Sequence, residues 1–98
     1  MSEQPLVSIA MITYNHGKYI RKAVETIVSQ KTNFKFELVI GADVSPDDTV
    51  EVASQLEKEY PDIVRVLHTE ENLGMAKNFF RVCHETRGKY IAFCEGDD

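Results

Sequence analysis

Leu6-Val7-Ser8-Ile9-Ala10-Met11-Ile12-Thr13 decides how this chain folds. The run is almost entirely apolar and does not alternate with polar residues. A strand with one wet face alternates. A near-continuous apolar run signals a strand covered on both faces, as in a parallel sheet. Tyr14-Asn15-His16-Gly17 follows as a turn, with Asn and Gly supplying permissive backbone conformations. From Lys18 the period lengthens: Ile20, Ala23, Val24, Ile27 and Val28 form one stripe of an amphipathic helix.

The same alternation continues along the chain. Phe36 to Ile40 reads as a second strand, leading into Gly41-Ala42-Asp43-Val44. Ser45 is the expected helix N-cap, with Pro46 at the first helical position and Asp48 three residues after the cap. Val52, Ala53, Leu56 and Tyr60 carry the apolar stripe and Pro61 stops it. Ile63 to Leu67 is a third strand and His68 to Asn72 its polar exit. Met75, Ala76, Phe79, Phe80, Val82 and Cys83 give a third helix, with Met75, Phe79 and Phe80 expected in the core. Arg87 is expected in its last turn and Gly88 just beyond. Tyr90 to Cys94 reads as a buried fourth strand.

The order βαβαβαβ predicts an α/β fold: an open parallel sheet with helices on both faces. In such sheets ligands bind beyond the carboxyl ends of the strands, where strand order reverses. That rule selects Thr13-Tyr14-Asn15, Gly41 to Ser45, His68 to Asn72 and Glu95-Gly96-Asp97-Asp98.

Bulk properties bound the partners. The chain has 98 residues, room for one domain. Its net charge of −5 argues against a nucleic-acid partner and requires a positive group beside any anionic ligand. Cys83 and Cys94 form no C-x-x-C pair and read as reduced thiols of a cytoplasmic protein. No signal peptide or membrane-spanning run is evident in these residues, and a peripheral membrane contact through residues outside them stays open.

Phosphate is not held at the first turn, because neither G-x-G-x-x-G nor a P-loop is present. Glu95 to Asp98 packs three carboxylates into four residues. This is either a solvated acidic turn or a site for a hard divalent cation such as Mg²⁺. Asp43 is either an Asx-type turn or an acceptor for ring N–H donors of a base. Tyr14 is either a core-edge aromatic or a stacking surface.

Four stretches together resemble the signatures of family 2 glycosyltransferases. They are Val7 to Asn15, Asp43 to Thr49, Asn72 to Asn78 and Gly88 to Asp98, in the family's order and spacing. The resemblance implies a GT-A fold, of which residues 1–98 are the Rossmann-like, nucleotide-sugar-binding half, truncated after the acidic motif. It implies inverting, metal-assisted transfer of a sugar from a nucleotide diphosphate, commonly UDP, to a saccharide or lipid-linked acceptor in polysaccharide biosynthesis. Such work is expected in the cytoplasm, at the inner face of the membrane. Thr13, Tyr14, Asn15, Asp43 and Asp97 then lie at the nucleotide. The D-x-D pattern falls on Glu95-Gly96-Asp97, so Asp97, with Glu95 and Asp98, takes Mg²⁺ or Mn²⁺. The chain departs from the family at Ile12 (often Pro), at Ala42 (often an acid) and at Glu95 (Asp in the motif). The family's general base lies in a later half, beyond Asp98, and no residue here matches it. A non-catalytic binding or scaffold module is the alternative. A phosphoacceptor domain would want acids where Thr13 and Tyr14 stand.

Overall fold

The computed structural model describes residues 5–13, 19–30, 34–42, 48–68 and 73–95, with the side chains of Met75 and Glu95 left aside. Seven elements alternate: β1 (Val7–Thr13), α1 (Ile20–Val28), β2 (Phe36–Ala42), α2 (Thr49–Glu59), β3 (Val64–Leu67), α3 (Gly74–Glu85) and β4 (Tyr90–Glu95). The four strands form one sheet in the order β3-β2-β1-β4, and all pairs are parallel. The expected open parallel sheet is the one found. From β1 the chain adds strands outward to β3, then returns past its start to place β4 on the other side. The order therefore reverses between β1 and β4.

The absence of alternation in β1 and β2 has its explanation in two cores. Met11, Leu38, Ile40 and Ala42 point to the face packed by Ile20, Ala23 and Val24 of α1 and Ala53 and Leu56 of α2. Ala10, Ile12 and Val39 point to the other face, which Val82 and Phe79 of α3 cover. Helices thus lie on both sides, as the connection directions require. Arg21 ties α1 to α2 by donating to both carboxylate oxygens of Glu59, at 3.2 and 2.9 Å.

Four expectations are corrected. The second helix begins at Thr49 with Asp48 in the cap position. The expected cap, Ser45-Pro46, lies outside the described residues. The third helix ends at Glu85, and Thr86 turns to extended backbone. Arg87 and Gly88 instead serve a buried cluster described below. Phe80 is not core: it is 71% exposed. The inward face of α3 is set by Asn78 and Val82, and Phe80 lies two positions from each, on the opposite side of a 3.6-residue turn. The fourth strand is not buried either. It is an edge strand, with Tyr90, Ile91 and Phe93 each about half exposed because only β1 flanks it.

Candidate functional site at the carboxyl edge of the sheet

The strand register puts the ends of all four strands on one line. Leu67 of β3 pairs with Gly41 of β2, Gly41 with Ile12 of β1, and Ile12 with Glu95 of β4. Neighbouring strands are about 4.8 Å apart, so the β2 and β4 ends stand on the order of 10 Å from each other, on either side of β1. This edge includes the β1/β4 reversal, the place where an open α/β sheet leaves a crevice.

Thr13 is the last residue of β1, 2% exposed, beside Ala42 in the register. Glu95 is the last residue of β4. The other candidates, Tyr14, Asn15, Asp43, Asp97 and Asp98, lie outside the described residues. Each follows one of these strand ends within three positions of sequence. Among the described residues no group of His, Cys, Asp and Glu is close enough to hold a metal ion. The acidic run that the sequence offers as a cation site begins at Glu95, and its other members lie outside the described residues. Its carboxylate oxygens are the hard ligands that Mg²⁺ and Mn²⁺ take.

Two arrangements were not foreseen. The first supports the edge. Asn78 of α3 is 2% exposed, and its Nδ2 donates to the Gly41 carbonyl at 2.8 Å. Arg81 donates to Asn78 Oδ1 at 2.7 Å and to the carbonyls of His68 (2.7 Å) and Leu67 (3.2 Å). Gly41 has no room for a side chain: a Cβ there would stand 2.4 Å from both Asn78 Oδ1 and Val82 Cγ2. The sequence signal was available, since Asn78 interrupts an apolar stripe at helical spacing from Met75 and Val82.

The second lies at the opposite, amino-terminal end of the sheet. Glu37 is buried beside Ser8 in the register. Its Oε2 accepts from Ser8 Oγ at 2.6 Å and from the Arg87 backbone N–H at 2.7 Å, and its Oε1 accepts from the Arg87 guanidinium at 3.2 Å. Ser8 Oγ accepts in turn from the Gly88 N–H at 2.7 Å. Burial opposes the charge on Glu37, but these donors outweigh it and hold the carboxyl below its ordinary range. The cluster anchors the return of the chain from α3 into β4, and it faces away from the crevice.

A surface groove of about 530 Å³ lies between β3 and α3, lined by Leu67, His68, Phe80, Arg81, His84 and Glu85. It is on the sheet edge remote from the reversal.

A family model described as glycosyl transferase family 2 matches residues 8–98. An uncharacterized protein of Mycobacterium tuberculosis is 38% identical over 92 residues, covering 94% of this chain and 27% of that protein. TuaG of Bacillus subtilis, named a putative teichuronic acid biosynthesis glycosyltransferase, is 33% identical over 95 residues, covering 97% and 37%. Among solved structures, mannosyltransferase PcManGT of Pyrobaculum calidifontis, in complex with GDP-Man and Mn²⁺, superposes with a TM-score of 0.83 at 21% identity, covering 98% and 28%. This second likeness is one of fold. S. aureus TarS 1-349 in complex with UDP-GlcNAc superposes with a TM-score of 0.77 at 27% identity, covering 93% and 26%. The chain therefore spans about a quarter to a third of the length of these proteins.

Proposed function

Because the chain belongs to glycosyl transferase family 2, with a parallel sheet of the GT-A kind, we propose that residues 1–98 are the donor-binding half of a glycosyltransferase. The observation that carries this reading is the line of strand ends Leu67, Gly41, Ile12 and Glu95, with the order reversing between β1 and β4. It brings the chain to the crevice at the very points where Tyr14, Asp43 and Asp97 follow in sequence.

The donor is a nucleotide diphosphate sugar, with UDP as the nucleotide. Support comes from TarS, which was solved with UDP and with UDP-GlcNAc. Tyr14 stacks on the base and Asp43 accepts from its ring N–H, with Thr13 and Asn15 beside them. Asp97, with Glu95 and Asp98, would hold Mg²⁺ or Mn²⁺, and PcManGT was solved in complex with GDP-Man and Mn²⁺. A cation supplies Lewis-acid stabilisation of a departing diphosphate. The protein's own share is to fix the base at one side of β1 and present carboxylates at the other, so that the donor lies across the crevice. Transfer proceeds with inversion to a saccharide or lipid-linked hydroxyl, activated by a base outside these 98 residues. TuaG's name places it in the biosynthesis of a polysaccharide, and this chain is assigned the same kind of work at the cytoplasmic face of a membrane. Among the described residues no helix is long and apolar enough to cross one.

Isothermal titration of the chain with UDP and Mn²⁺ tests the reading. Saturable, metal-dependent heat that disappears in Asp97→Ala is expected. Flat titrations with UDP and GDP alike would assign the chain to the non-catalytic class.

A further inference from the structure

We propose that Asn78 is a positioning residue for the donor site, which fixes where Asp43 leaves the sheet. The inference rests on the donor-site reading above.

Asn78 sits on the core face of α3, where a polar group must be fully paired to be tolerated. Its carboxamide offers a donor on one side and an acceptor on the other. The donor holds the carbonyl of Gly41, and the acceptor receives Arg81. The same guanidinium holds the last carbonyl of β3, that of Leu67, and the carbonyl of His68 just beyond it. One helix thus fastens the carboxyl ends of two adjacent strands. Gly41 is two residues before Asp43, and its lack of a side chain is what lets α3 come this close. The residues nearest to asparagine in size or chemistry do not reproduce these two bonds. Asp has no donor when ionised, Leu leaves the Gly41 carbonyl facing apolar atoms, and Gln is one methylene too long for the gap. An exit strand held at its penultimate carbonyl projects the next residues from a nearly fixed point. A catalytic or binding side chain needs that to stay within a fraction of an ångström of its place.

Two substitutions separate positioning from bulk stability. Asn78→Asp keeps the shape and sets an acceptor against the Gly41 carbonyl. Val82→Ala removes packing against the same glycine and leaves the hydrogen bond in place. Each is measured for UDP–Mn²⁺ affinity by titration, for amide hydrogen exchange residue by residue, and for Tm. Asn78→Asp is expected to weaken the affinity about tenfold or more. It also speeds exchange at Ala42 and the residues after it, while Val24 and Leu38 stay protected. Val82→Ala lowers Tm but leaves affinity within about twofold. The proposal is overturned if Asn78→Asp leaves exchange at Ala42 unchanged, or if both variants lose affinity in step with their loss of Tm. Should the wild-type chain take up no nucleotide, the donor-site reading falls and exchange alone decides. Loosening confined to the end of β2 then upholds Asn78 as the anchor of that strand end, and uniform loosening overturns it. Asn78→Ala carries the same readouts if the carboxylate prevents folding.

Discussion

Glu37 shows what a single charged side chain contributes when it is buried among donors. It sits in a strand covered on both faces, yet Ser8 Oγ, the Arg87 N–H and the Arg87 guanidinium all reach it. Replacing it by Gln removes the charge that these groups answer, and is expected to cost about 1–3 kcal/mol, measured by urea denaturation at pH 7. The effect has a pH signature. The folded-state carboxyl lies below the ordinary value near 4.5. Its contribution is therefore complete above that value and is lost as the pH falls below it, through the folded-state value. The stability gap between wild type and Glu37→Gln should hold from pH 7 to about 5 and close below 4.5. A gap that widens in acid would show the assignment of charge to be wrong. The sequence carried a hint of this cluster, because Ser8 and Glu37 are the polar residues inside the apolar runs of β1 and β2. It could not say that they face each other, since register is a property of two strands, not of either one.

At the scale of elements, α3 is where sequence and structure part most. Its hydrophobic residues cover more of the helix surface than one face can bury, so the expected core stripe holds at Phe79 and fails at Phe80. Burial selects Asn78, Val82 and, in part, Phe79, which meets Phe93 edge-to-face at 5.0 Å. Two substitutions on this helix should differ sharply. Val82→Ala is expected to cost about 2 kcal/mol, and Phe80→Ala about 0.5 or less. For a chain of this size the first corresponds to a Tm lower by roughly 10 °C, so thermal melts distinguish them easily. Gly88 gives a second test. A Cβ there would stand 2.6 Å from the backbone nitrogen of Ser8, an atom fixed in the sheet. Gly88→Ala should destabilise by about 1–3 kcal/mol, read from the denaturant midpoint. From the sequence Gly88 looked like a helix terminator. The structure gives it another reason to be glycine, the close approach of β1. The strand and helix order was legible because the helices carry a 3.6-residue apolar stripe and the strands between them are short apolar runs. The helix ends were less so, because a cap depends on backbone angles that many residue types adopt. Of the candidate site, the sequence supplied the acids and aromatics at the strand exits. Among the supporting groups, Asn78 showed as a polar break in an apolar stripe, while Arg81 and Gly41 were silent because their roles arise only when α3 crosses β2.

On the scale of the whole molecule, charge and extent decide what the chain can do. It carries a net charge of −5, and its candidate diphosphate site gathers Glu95, Asp97 and Asp98. Each close pair of like charges costs about 1 kcal/mol at 4 Å in water and about 4 at the effective dielectric of a protein surface. A nucleoside diphosphate should therefore bind only with a cation between. Chelating Mn²⁺ with EDTA is expected to weaken UDP affinity about a hundredfold or more by titration. Binding that survives chelation would move the diphosphate away from the acidic run. Transfer is a separate requirement. An acceptor hydroxyl that attacks with inversion needs a general base, which contributes about 10²–10⁴ in rate. The chain matches only 27% and 37% of the length of its relatives, and the proposed reading puts the base outside these 98 residues. Donor binding and sugar transfer should therefore come apart in this chain. Incubated with a radiolabelled UDP-sugar, Mn²⁺ and a mixed pool of saccharide and lipid-linked acceptors, it should release labelled product at the background rate while still binding UDP. Turnover above background that disappears in Asp97→Ala would show that a base lies within these 98 residues, and that the division into donor and acceptor halves is drawn in the wrong place.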